Sequence, residues 1–185
     1  MFAKVAYLTG AAFLIAGVDA GVAAPSQLYG RSVLVSWNEN RVQSAAGSST
    51  MQHRTVNQSL SVYISNAGRL FSRREATGYG ARGARHGTSD QIGTEGRTVG
   101  GLTRRVSFEG RSLVFDFAFQ SGARRIVITF DETYGSCVAR VIHGKESGRA
   151  TTAYRTLTGF DIVVHSMEIT GMSCRILNGN VFAVE

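Results

Sequence analysis

The chain carries four histidines, His53, His86, His143 and His165, and no two of them stand at a chelating or helical spacing. His143 closes the strand-like CVARVIH and His165 sits in VVHSME, so the pair can face each other across a sheet. No third ligand accompanies them, and neither a metal site nor a cofactor is expected. His165 and Glu168 come nearest to a base and its orienter, yet residues three apart in an extended strand point to opposite faces. Without a serine or cysteine on a recognisable elbow, and without two carboxylates on one face, no enzymatic chemistry is expected. The segment YGARGARHG, residues 79–87, is glycine-rich but lacks the Lys-Ser/Thr ending and the following helix of a phosphate loop. What it retains is the charge to hold an anion weakly, through Arg82, Arg85 and His86.

The elements that would position these residues read in twos. Val33, Val35 and Trp37 alternate with smaller or polar partners, as do Leu60, Val62 and Ile64, the pattern of antiparallel strands wetted on one side. Further strands are expected over Thr103–Glu109, Ser112–Phe119, Arg125–Phe130, Cys137–His143, Gly159–Glu168, Ser173–Leu177 and Val181–Val184, joined by short turns that include Asn178-Gly179. A hairpin is expected over Ser59–Arg74. Helix is sparse, with a turn or two expected over Glu39–Ala46 and one short helix over residues 146–156. Thr77–Gly101 holds eight glycines and is expected to be a long flexible loop, because glycine at this density loses much backbone entropy on ordering and offers little to bury. The expected fold is all-β: eight or nine antiparallel strands in a barrel-like meander, with a β-sandwich as the alternative.

In SLVFDFAFQSGARRIVITFD, residues 112–131, Leu113, Phe115, Phe117, Phe119, Ile126, Ile128 and Phe130 share one face. Burying each contributes roughly 1.5 to 3 kcal/mol, so most of this stripe must be core. Asp116 falls on the opposite face, where Arg124 or Arg125 can lie across the hairpin as an exposed pair worth at most about 1 kcal/mol. A barrel of this size either fills itself or holds one small apolar ligand, and in the second case Trp37, Tyr63, Phe108 and Phe117 would line the cavity. A calycin, lipocalin-like or avidin-like barrel is the nearest analogy of architecture. The lipocalin Gly-x-Trp opening is not matched, since Gly30 and Trp37 stand too far apart.

The first residues point to export. Lys4 precedes an apolar run from Val5 to Val18, and Val22 and Ala24 have the spacing a signal peptidase accepts, so residues 1–24 read as a signal peptide cut before Pro25. That run, about fourteen residues, is short for a membrane helix, which needs roughly twenty; no stable span is expected after cleavage. Residues 25–185 then form a single β domain, periplasmic or secreted, in a texture that resembles small exported β proteins of Gram-negative bacteria. Cys137 and Cys174 are the only cysteines, and in an oxidising compartment they are expected to pair, closing a loop worth about 3 to 4 kcal/mol in lost chain entropy. The formal net charge is +7, and every basic residue except Lys4 and Lys145 is arginine. Such a surface draws anionic partners, but the arginines are scattered among acidic residues without a nucleic-acid motif, and no nucleic acid is expected. Two functions remain: a carrier of a small apolar or amphiphilic ligand, or an interaction protein of the cell envelope that uses its basic surface or loop on an anionic component.

Overall fold

The computed structural model describes residues 23–80, 83–92, 103–119, 122–143, 152–155 and 161–182, with side chains at 23–78, 106–116, 125–142 and 162–182. Among the described residues a 3-10 turn, Ser26–Leu28, leads into ten strands. They are β1 (Arg31–Ala45), β2 (Gln52–Ile64), β3 (Leu70–Gly80), β4 (Gly83–Ile92), β5 (Thr103–Glu109), β6 (Ser112–Phe119), β7 (Gly122–Phe130), β8 (Cys137–His143), β9 (Thr152–Arg155) and β10 (Asp161–Asn178). Six form one sheet in the order β4-β3-β2-β1-β10-β9, and four form a second in the order β5-β6-β7-β8. Every ladder is antiparallel.

The expected barrel is corrected by this pairing. No ladder joins the two sheets among the described residues, so they stay open and face each other as the layers of a sandwich, the alternative reading. The reason lies in the partner of β1. Residues 31–45 pair along almost their whole length with β10, from Arg31 opposite Asn178 to Ala45 opposite Ile162. That long-range ladder takes the last strand into the first sheet and leaves β5–β8 as a separate meander.

Between the layers the alternation works as the sequence requires. Val33, Val35 and Trp37 of β1, Leu60, Val62 and Ile64 of β2 and Leu70 of β3 share one core with Val106, Phe108, Leu113, Phe115, Ile126, Ile128 and Phe130 of the smaller sheet; none is more than 3% exposed. Leu28, fully buried on the 3-10 turn, joins the same core. The phenylalanine stripe is therefore packing, as far as its side chains are described.

Covalent and polar ties replace the missing ladder. Cys137 and Cys174 form a disulfide with Cα atoms 5.6 Å apart, linking the start of β8 to the last third of β10. Beside it, the Arg31 guanidinium donates from Nη1 to the Tyr134 carbonyl at 3.0 Å, fastening the start of β1 to the β7–β8 turn. That turn is built on Asp131, whose Oδ1 accepts from the Thr133 and Gly135 N–H groups and whose Oδ2 accepts from the Ser136 N–H and hydroxyl.

Three local expectations are also corrected. The segment from Thr77 onward is not a loop as far as Ile92: β3 continues to Gly80 and β4 pairs with it from Gly83 to Ile92, so edge pairing orders glycines that composition alone would leave uncommitted. Glu39–Ala46 forms no helical turn but extends β1 to Ala45, held on both sides by β2 and β10. The expected strands Gly159–Glu168 and Ser173–Leu177 merge, from Asp161 on, into one strand, β10, while Val181 and Phe182 lie in a turn after it. The rest of the 77–101 segment, residues 81–82 and 93–101, lies outside the described residues, as do residues 1–22 and most of 146–156.

Candidate functional site

The six-stranded sheet has two different faces. Its inner face packs on the smaller sheet as far as Trp37 and then turns polar. The Trp37 indole N–H donates to Glu39 Oε1 at 3.2 Å, and Arg41 pairs with Glu39 through Oε2. Glu39 is fully buried, and Gln58 beside it, 4% exposed, accepts from Arg74 at 2.9 Å. These residues stand at every second position of one strand and on its neighbours, so they form a polar continuation of the core.

The outer face is open and covered with hydroxyl and amide groups. Ser36 and Ser173 share a hydrogen bond of 2.7 Å, Thr55 donates to Asn40 at 3.1 Å, and Asn40 donates in turn to Thr170 at 3.3 Å. At the end remote from the disulfide this face dips into a depression of about 360 Å³, near the lower limit for small-molecule sites, roughly 300 Å³. Two cross-strand rows line it. Thr55, Asn40 and Glu168 are opposite one another on β2, β1 and β10, and His53, Val42 and Ser166 form the adjacent row. Arg41, Arg54 and Met167, from the row between these two, complete the lining.

The shape has a local cause. The β1–β10 register slips twice, between Ser36 and Asn38 and between Val42 and Gln43, and the depression lies on the stretch between the two slips. Each irregularity bends and twists the ladder, and such bulges are common beside functional sites. At the first, Gly171 takes a φ of +63°, and a Cβ there would come within 2.9 Å of Asn38 Nδ2. At the second, the extra residue of β10 is His165, whose Nε2 lies 2.9 Å from the Ser44 hydroxyl. Ser44 is only 4% exposed and His165 is half-buried, so this contact is a part-buried bond between strands.

The aromatic residues marked by the sequence do not converge. Trp37 and Phe108 are buried in the core, whereas Tyr63 is on the outer face, stacked on Phe71 with ring centroids 6.2 Å apart. Phe117 pairs in β6 with Arg104 and Arg124, and its side chain lies outside the described residues. The interior that would have held an apolar ligand is two layers of interlocking side chains, and the barrel-carrier reading is overturned with the barrel. Arg85 and His86 sit in β4 opposite Gly78 and Thr77, while Arg82 is outside the described residues. His143 ends β8 in the other sheet from His165, and no group of three or more His, Cys, Asp or Glu among the described residues is placed to hold a metal.

Sequence reading missed the depression because it took Glu39–Ala46 for a helical turn. The available signal was the run of polar residues at every second position, Ser36, Asn38 and Asn40 in one segment and Thr55, Asn57, Ser59 and Ser61 in the next.

On the smaller sheet, Arg125 makes two bonds with Asp116, 2.7 Å from Nε and 3.2 Å from Nη2, the cross-hairpin pair that alternation expects. The hydrogen bond to Asp116, ahead of its charge, raises the Arg125 pKa above the ordinary arginine value. No protein-family model, curated protein or solved structure matches the chain. Among the described residues no helix is long and apolar enough to cross a membrane, and the disulfide is consistent with an oxidising, extracytoplasmic environment.

Proposed function

We propose that the chain is an exported interaction protein that acts by binding, without catalysis, and that its arginine-rich surface holds an anionic component of the cell envelope, in the periplasm or outside the cell. The observation that carries this reading is a charge imbalance at the surface. Among the described side chains Arg69, Arg73, Arg111, Arg125, Arg140 and Arg175 are exposed, against only Glu109, Glu132 and Glu168 of the exposed acidic groups. A net charge of +7 raises the local concentration of anions around such a surface and speeds their encounter with it. The interior is committed to packing, which leaves outer faces as the means of recognition. The nearest approach to a catalytic pair, Ser44 and His165, has a serine too buried to meet a substrate.

The test is retention of the purified exported protein on anionic envelope fractions at low salt and at about 1 M salt, where the Debye length falls to roughly 3 Å. Retention at low salt that is lost at high salt is expected. No retention at low salt would overturn the proposal.

A further inference from the structure

We infer that the envelope component is an acidic polysaccharide, bound along the outer face of the six-stranded sheet with one sugar ring in the depression between the two β-bulges. The inference rests on the proposed binding of an anionic envelope partner and names its chemical class and its seat.

The lining of the depression is what selects a sugar. Asn40, which already accepts from Thr55 and donates to Thr170, keeps a second N–H and a second lone pair. The Thr55 oxygen can still accept, Ser166 offers a hydroxyl that donates and accepts, His53 offers a ring nitrogen, and the Glu168 carboxylate accepts from two neighbouring hydroxyls. Val42, in the middle of the second row, presents methyl groups to the apolar side of a ring. A lipid tail would use none of this remaining capacity and would desolvate the Glu168 carboxylate, the Ser166 hydroxyl and the His53 ring at a cost for each. A multiply hydroxylated ring satisfies them. Glu168 also disfavours a second carboxylate or phosphate within the depression, so the acidic groups of the ligand must lie elsewhere on the face.

Arginines stand where they are needed. Asp90, Arg73, Ser61, Leu34 and Arg175 form one cross-strand row over β4, β3, β2, β1 and β10. Both arginines are exposed, and because Arg73 stands opposite Asp90 and over the Phe182 ring at 5.6 Å, the contact to an acidic group is assigned to Arg175. Arg175 stands seven positions beyond Glu168 on β10, roughly 20 Å of strand. The face between them carries Ser36, Ser173, Asn38 and Thr170. A hydroxyl-binding depression at one end and a cationic group at the other, joined by a hydrogen-bonding strip, fit an extended polymer of hydroxylated and acidic units.

The experiment is calorimetric titration of the purified exported protein with an oligogalacturonate, with a neutral dextran oligosaccharide and with phosphatidylglycerol vesicles. We expect the oligogalacturonate to bind and the dextran to bind far more weakly. The double variant N40A/T55A should lose about tenfold or more in affinity, the expected consequence of two missing hydrogen bonds. R175Q should bind less tightly and with a shallower salt dependence, whereas T129A, on the outer face of the other sheet, should bind as the unaltered protein does. Binding to vesicles but not to the oligogalacturonate would overturn the polysaccharide while leaving the anionic partner standing; binding to neither would overturn both. Should the double variant unfold, amide chemical-shift changes in the unaltered protein decide the seat. Changes at Asn40, Thr55, Ser166 and Glu168 support it, and changes confined elsewhere overturn it.

Discussion

The Trp37 indole N–H and the Glu39 carboxylate meet at 3.2 Å, two residues apart on one strand, at the point where the apolar core of the sandwich becomes polar. Arg41, two residues further, completes the set from the other carboxylate oxygen. A fully buried carboxylate is tolerated only with such partners, and removing one member strands the other in a low-dielectric surrounding. Glu39→Ala should therefore destabilise the protein by about 3 to 5 kcal/mol, read from urea unfolding. Glu39→Gln, which keeps an acceptor for the indole, should cost less. A loss within measurement error for the alanine variant would show that the cluster contributes nothing to the fold.

The disulfide carries a second prediction. Cys137 and Cys174 tie together two sheets that share no ladder among the described residues, so reduction should loosen the packing of β8 against β10 as well as enlarge the unfolded ensemble. Cys137→Ser with Cys174→Ser should lower stability by about 2 to 4 kcal/mol and lower the thermal midpoint. Equal midpoints in oxidised and reduced protein would contradict it.

Asp131 sets a dependence on pH. Its carboxylate is held at a pKa of about 2, below the ordinary 3.8, chiefly by the Ser136 hydroxyl and then by the Gly135 N–H. A depressed pKa in the folded state means the charged form is favoured there, so its contribution to stability is complete above about 3.8 and fades as the pH falls through about 2. Asp131→Asn should flatten the stability profile across that interval relative to the unaltered protein. A carboxyl resonance of Asp131 titrating near 3.8 would refute the assignment.

Gly171 is needed where the first bulge forms. With φ at +63° and Asn38 Nδ2 2.9 Å from the position of a Cβ, Gly171→Ala should destabilise by about 1 kcal/mol or more. The strain should also disturb β1 at Asn38, so amide exchange there is expected to quicken. Unchanged exchange at Asn38 would mean that the bulge does not depend on the glycine.

Much of the strand pattern was legible because side-chain alternation is local. Thr103–Glu109, Ser112–Phe119 and Cys137–His143 have the same limits as strands in the structure and as segments read from sequence, and the Cys137–Cys174 pair follows from cysteine count and compartment. What was illegible depends on distant partners. Alternation states that Val33 and Val35 face a core, not that Val35 sits opposite Cys174 in the last strand, and that pairing is what separates a sandwich from a closed meander. Glycines at 78, 80, 83 and 87 argue for a loop on their own and are ordered by pairing between β3 and β4. The depression arises from two register slips in a ladder between residues more than a hundred positions apart, and nothing in either strand alone reports them.

The most direct measurement is a map of backbone amide shifts as an oligogalacturonate is added to isotope-labelled protein at low salt and again at high salt. The account predicts changes running along β1, β2 and β10, from the row of Thr55, Asn40 and Glu168 to the row of Arg73 and Arg175, which vanish as salt rises. Changes confined to β5–β8, or none at low salt, would contradict it.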